Sequence, residues 1–169
     1  ISIMLIIGTI IIYQQIQHVK SRSLGMDKEN LIVTDVVGDI AKNYSSIKQE
    51  LLATGSVENV ALSDHNTLYG GNNTNGLTWE GKAPGANILV STRYVTPDFM
   101  ETSGIKVIYG RDFQTNDLLD TVNMNVIITQ SFEKIMGNES AIGKIIRYGD
   151  EPDSPTATVV GVANDYVYG

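Results

Sequence analysis

The chain opens on ISIMLIIGTIIIY, residues 1–13, which carry no charge and nine Ile, Leu or Met side chains. A run this apolar must be covered by lipid or by protein. Crossing the hydrocarbon core takes about 20 apolar residues, and the run is shorter than that. Three readings compete. A secretory signal core lacks both a basic stretch before it and a small-residue cleavage site after it. A buried soluble helix would be apolar on every face. A transmembrane helix whose first turns precede Ile1 fits best, and a start at Ile rather than Met agrees with a piece of a longer polypeptide.

From Gln14 the composition changes. Tyr13, Ile16, Val19 and Leu24 keep near-helical spacing while Gln14, Gln15, Gln17, His18, Lys20 and Arg22 cover the other faces. This predicts an amphipathic stalk leaving the bilayer, stopped at Gly25. Lys20 and Arg22 favour a cytoplasmic exit by charge. Two cations do not settle orientation.

The remainder bounds the function. Nineteen acidic against 12 basic residues give a net charge of −7, a poor match for a nucleic-acid backbone. With no cysteine and only His18 and His65, disulfides, thiol catalysis, zinc ribbons and a histidine-rich metal site are excluded within one chain. An all-carboxylate site stays open.

Periodicity predicts a mixed α/β unit. Leu31 to Val37 reads as a strand, 40–53 as a helix capped near Asp39 and ended by Gly55, and Val57 to Ser63 as a second strand, together a βαβ-like or split βαβ unit. Asp64 to Gly76 reads as an exposed, mobile polar loop. Ile88 to Val95 is a predicted strand. Thr96-Pro97-Asp98 is a helix start with Thr96 as the capping hydroxyl, Phe99 and Met100 as anchors and Gly104 as the stop. Further strands are expected at Ile105 to Tyr109, Val126 to Thr129, Lys144 to Tyr148 and Thr156 to Ala163. A helix is expected over Gln130 to Met136, stopped by Gly137, and a turn over Asp150 to Pro155.

Chemical motifs are sparse. Gly70-Gly71 lacks the Lys and Ser/Thr of a phosphate loop, and no G-x-S-x-G elbow occurs. Asp112, Asp117 and Asp120 do not follow the EF-hand pattern and read as a solvated acidic loop, with weak cation binding as the alternative. Sequons at Asn43, Asn72 and Asn138 arise often by chance. Trp79 with Tyr69 could form an aromatic patch; the plainer reading is that Trp79 plugs the seam between two layers. His65 could report pH; the plainer reading is a surface residue.

Several stretches in order resemble the MacB-like periplasmic core domain of ABC transporter permeases with FtsX-like helices. They are Tyr13-Gln14-Gln15 through Leu24-Gly25-Met26-Asp27-Lys28-Glu29-Asn30, the Lys48 to Val60 step, Trp79-Glu80-Gly81, Val95 to Gly104, and Gly110-Arg111-Asp112-Phe113. Val126 to Gly137, Ile142-Gly143-Lys144 and Val160-Gly161-Val162 with Asp165-Tyr166 continue the series. The likeness covers the whole chain and is nearest to the second such domain of Bacteroidetes-type permeases. Thr129-Gln130 stands where the pattern has Asn-Glu, and Ala141 where proline is common.

The resemblance implies an α+β fold: a transmembrane and stalk helix over 1–24, a porter-like α/β sandwich over 25–111, an inserted strand-rich, Sabre-like part over 112–155, and a return strand over 156–169. It implies a head on the periplasmic side of a bacterial inner membrane, with no enzyme activity and no cofactor. The partners implied are a cytoplasmic ABC ATPase, a second permease copy and a periplasmic adaptor. The implied role is mechanotransmission, the passing of ATP-driven helix motion to the periplasm for export. A periplasmic sensing or adaptor module is the alternative. His65, Asn66, Tyr69, Asn72 and Asn73 form the candidate partner or cargo loop. Gly25, Trp79, Gly81, Phe99, Gly104, Gly110, Arg111, Phe113, Gly143, Gly161 and Asp165 are family-motif positions expected to be structural.

Overall fold

The computed structural model of the chain describes residues 2–21, 24–27, 29–66, 69–119, 123–137 and 139–167. Arg22, Lys28, Asp120 and Asn138 lie outside them, as do the side chains of Val19 and Lys20.

The fold is α+β, with helices α1 (Ser2–Ser21), α2 (Tyr44–Ala53), α3 (Phe99–Thr102) and α4 (Gln130–Met136). The strands are β1 (Asn73–Thr74), β2 (Leu77–Trp79), β3 (Val90–Ser91), β4 (Val107–Gly110), β5 (Asn123–Thr129), β6 (Ile145–Tyr148) and β7 (Thr156–Ala163). β7 is the axis. It pairs in parallel with β5 along one edge, and antiparallel with β6 and then β4 along the other. β2 extends the sheet beyond β6.

β7 is the predicted TATVVGVA run, and its pleat is broken once. Val126 and Ile127 of β5 face Val159 and Gly161, so Val160 is the extra residue of a bulge. A bulge resets side-chain parity, and Val159 and Val162, three apart, both enter one core. That core joins Leu77, Trp79, Ile128, Phe132 of α4, Met136 and Ile146. Ile127 packs instead with Phe99, Met100, Ile105 and Ala163 in a second core that takes in Met26 and Tyr166. β5 thus sends alternate residues to two clusters.

α1 is helical over Ser2–Ser21, and Gly25, the predicted stop, takes the left-handed φ of +72. Its large apolar side chains from Ile3 to Ile16 are 46 to 80% exposed. The Thr9 hydroxyl donates to the Leu5 carbonyl at 2.8 Å, which satisfies a polar group inside the apolar run. Among the described residues no helix is long and apolar enough to cross a membrane.

Several expectations are overturned. Residues 31–37 form no strand, and Ile32 is 90% exposed. Val57 to Ser63 makes only an isolated bridge, Ser63 to Val95. β-propensity marks a segment able to pair, but neither segment finds a full partner here. A βαβ-like unit instead lies at β5–α4–β7, its two strands paired directly in parallel and β6 intervening only in sequence. α2 starts at Tyr44, and Asp39 holds the preceding turn by accepting from Lys42 at 2.8 Å. Thr96 does not cap α3 with its hydroxyl, which accepts from the Leu62 amide at 2.9 Å; its carbonyl accepts from Phe99. The predicted strand over Ile88 to Val95 shrinks to β3, paired with β1.

Candidate functional site

Leu24 to Asp27 meet the sheet and the segment that follows β7. Val167 donates its amide to Leu24 O at 2.8 Å, and the Asn164 amide group donates to Gly25 O at 2.6 Å. Asp27 donates to Ser103 O at 3.1 Å. Asn164 also clamps β4, since Lys106 N donates to its side-chain oxygen at 2.7 Å. Gly25 has φ +72, and a Cβ there would stand 2.0 Å from the Asp165 carbonyl oxygen. Only glycine meets both conditions. A Cβ on Gly104 would run into Asp27 at 2.5 Å. Asp165 accepts from Ser131 twice, from the amide at 2.9 Å and the hydroxyl at 2.7 Å, and so fastens the segment after β7 to the start of α4. Three motif positions far apart in sequence, Gly25, Gly104 and Asp165, therefore converge on one junction.

A second convergence lies on the bulge of β7. Arg111 N donates to Val160 O at 2.9 Å. A Cβ on Gly110 would stand 2.4 Å from Val160 O, and one on Gly161 2.4 Å from Arg111 O. The Arg111 guanidinium forks onto Asp117 at 2.8 and 3.0 Å, and Asp117 also accepts from Gln114 N and Asn125 Nδ2. These bonds, Arg111 first, hold the Asp117 carboxyl below its ordinary pKa. Burial pushes the Asp112 carboxyl up. The acidic stretch is thus not a solvated loop: Asp117 is a partly buried clasp, and Asp120 lies outside the described residues. Among the described residues, no group of three or more His, Asp or Glu is placed to hold a metal ion.

The loop of His65, Asn66, Tyr69, Asn72 and Asn73 is pinned at several of its described residues rather than free. Asp64 N donates to Tyr94 O, Ser91 Oγ to Gly71 O at 2.8 Å, and Thr92 donates twice to Asn72 O. Arg93 Nη2 donates to Tyr69 O at 2.9 Å. Asn73 is in β1. The His65 side chain is 14% exposed, so it is not a plain surface residue. Its Nδ1 meets Asp64 Oδ1 at 2.7 Å, and its Nε2 is buried with no partner among the described residues. Asp64 also accepts from Asn72. Tyr69 and Asn66 face solvent.

Trp79 is buried against Phe132, edge to face at 5.2 Å, so it fills the seam between sheet and α4 rather than joining Tyr69 in a patch. Gly81 sits in the turn after β2. Phe99 is buried and Phe113 packs beside it in the second core. Gly143 N donates to Val159 O at 2.8 Å. Asn164, Ser131 and Arg93 are the structural partners that sequence reading missed. Asn164 precedes the recognised Asp165-Tyr166 pair, and that neighbourhood was its only local signal.

A family model described as the MacB-like periplasmic core domain matches residues 1–169. Nothing among curated proteins matches the chain. Solved structures similar to it include the following two. One is a domain described as part of a permease protein from Porphyromonas gingivalis, 25% identical with a TM-score of 0.45, covering 63% of this chain and 40% of that one. The other is the periplasmic region of MacB from Actinobacillus actinomycetemcomitans, 19% identical with a TM-score of 0.47, covering 78% of this chain and 57% of that one. The chain spans less than two thirds of the length of either.

Proposed function

The chain belongs to the MacB-like periplasmic core domain family, and from that premise we propose that it is a non-enzymatic head of an ABC transporter permease that carries ATP-driven helix motion to the periplasmic side for export. The observation that carries this reading is the junction at Gly25. A helix whose apolar side chains are exposed all along its first 16 residues runs into a seam where Gly25, Asp27, Asn164 and Asp165 leave no room for slack. In this reading lipid covers the helix, and a seam of that kind passes displacement rather than absorbing it.

In this reading α1 is the outer part of a membrane helix and its polar end is the stalk. The head stands on the periplasmic side of a bacterial inner membrane. A cytoplasmic ATPase drives the helices, a second permease copy completes the pair, and a periplasmic adaptor receives the movement. The division into a porter-like part (25–111, returning at 156–169) and an inserted part (112–155) belongs to the same proposal. β7 pairs with β4 from one part and with β5 and β6 from the other, so the two would turn as one body.

The test uses the full permease with its ATPase in phospholipid nanodiscs, carrying Asn73→Cys spin labels in both copies. ATP should change the label-to-label distance. An unchanged distance with ATPase turnover intact defeats the lever. A sensing or adaptor role has one observation in its favour: Tyr69 is 65% exposed on an otherwise pinned loop. Under that reading Tyr69→Ala loses capture of a periplasmic partner while the ATP-driven distance change persists.

A further inference from the structure

A cavity of about 190 Å³ lies between β5 and the segment over 90–95 that covers it, lined from both faces of β5, by Ile127 with Phe99 and Ala163 as well as by Ile128 with Ile146. Val90 and Val95 of the cover, Met124, Val126 and Ile128 of β5, and Ile146 of β6 make its walls apolar. Arg93 stands in the same wall, and no Asp or Glu lines the cavity among the described residues. One donor of this guanidinium is satisfied, by Tyr69 O. Its Nε and Nη1 are buried and meet no acceptor among the described residues, and none of the described ion pairs includes it. A buried guanidinium with two idle nitrogens is costly unless an anion answers it. An apolar space somewhat smaller than this one, about 150 Å³, takes benzene.

We propose that this cavity binds a small anionic amphiphile, a carboxylate carried on an apolar ring or short tail, with the carboxylate on Arg93 and the apolar part among the β5 side chains. Charge complementarity selects the head and volume selects the tail. Tyr148 lines the same space, and burial raises its hydroxyl above the ordinary tyrosine value. It therefore offers a neutral donor and no competing charge. The proposal does not rest on the transport reading, since it needs no motion of α1, although Tyr166 beside the junction lines the same space.

Benzoate and its neutral counterpart benzyl alcohol test it. The full chain, in phospholipid nanodiscs, is followed by methyl NMR at Ile128 and Ile146, with the α1 isoleucines reporting uptake into lipid. Benzoate should shift the two cavity methyls saturably by about 10 mM, with benzyl alcohol about tenfold weaker, the ratio expected of a charge-assisted bond. Arg93→Gln should abolish the difference between the two ligands, and Val126→Phe should block both by filling the space. Equal affinity for the two ligands overturns the proposal. So does the absence of saturable shifts at Ile128 and Ile146, or an undiminished benzoate preference in Arg93→Gln.

Discussion

At Gly161 a Cβ would lie 2.4 Å from the Arg111 carbonyl oxygen and 3.3 Å from Ile127. The obstacle is backbone of a neighbouring segment, which cannot swing aside as a side-chain tip would. Gly161→Ala should therefore lose about 1–3 kcal/mol, the range for overpacking a tight site. Gly76→Ala, whose nearest neighbour is Thr74 Oγ1 at 3.6 Å, should stay within about 0.5 kcal/mol. Urea unfolding of both variants checks the contrast. Asp117 tests charge in the same region. Its pKa is lowered in the fold, chiefly by Arg111, so the folded state holds the carboxylate more readily than the unfolded chain does. The stability this contributes is complete above the unfolded aspartate value and is lost as pH falls through the lower, folded one. The wild-type chain should weaken in that acid window, and Asp117→Asn should flatten the decline in urea midpoints measured across it. Sequence spacing could group Asp112, Asp117 and Asp120 but could not disclose that Arg111 reaches Asp117, because that fork depends on the turn over Thr115–Leu119. The burial of Arg93 was invisible for a like reason: residues 69 and 93 meet only through the folded loop.

Among the elements, α4 and β7 were the most legible. A glycine stop, an apolar face and a β-branched run all agree there. Thr129, standing where the family pattern has asparagine, caps α4 by accepting from Phe132 N. Ala141, in the place of a proline, donates its amide to Glu133 at 3.1 Å, a bond proline cannot make. The segments over 31–37 and 57–63 misled because alternation and β-branching describe a strand's side chains, whereas pairing depends on residues elsewhere in the chain. Two caps from different directions hold the start of α4, Thr129 from before it and Asp165 from beyond β7. Thr129→Ala and Asp165→Ala should each lower stability by about 1 kcal/mol. The Asp165 change should in addition speed amide exchange at Ser131, whose amide it accepts. Thermal unfolding and hydrogen exchange check the pair; equal exchange at Ser131 in both variants would contradict the second cap.

For the whole molecule the question is how firmly the stalk and the sheet move together. Asn164 is the residue that decides it. It donates to Gly25 O on the stalk side and accepts from Lys106 N on the sheet side, so one amide bridges the two. Neither contact is part of a core cluster, and losing both should cost the head little stability while freeing the stalk. The chain has no cysteine, which lets Gln17→Cys and Asn73→Cys carry spin labels without further change. Asn164→Ala should broaden the distribution of distances between them in nanodiscs, while the unfolding free energy of the head falls by about 1–2 kcal/mol, the ordinary effect of lost hydrogen bonds. A distribution as narrow as the wild type's would mean that the core contacts of Met26 and Tyr166, rather than the amide bridge, hold stalk to sheet. On the transport reading proposed above, a broad distribution that still shifts with ATP in a full permease would mean that α1 drives the head without a stiff joint, and the proposed lever would then have to lie elsewhere than at Gly25.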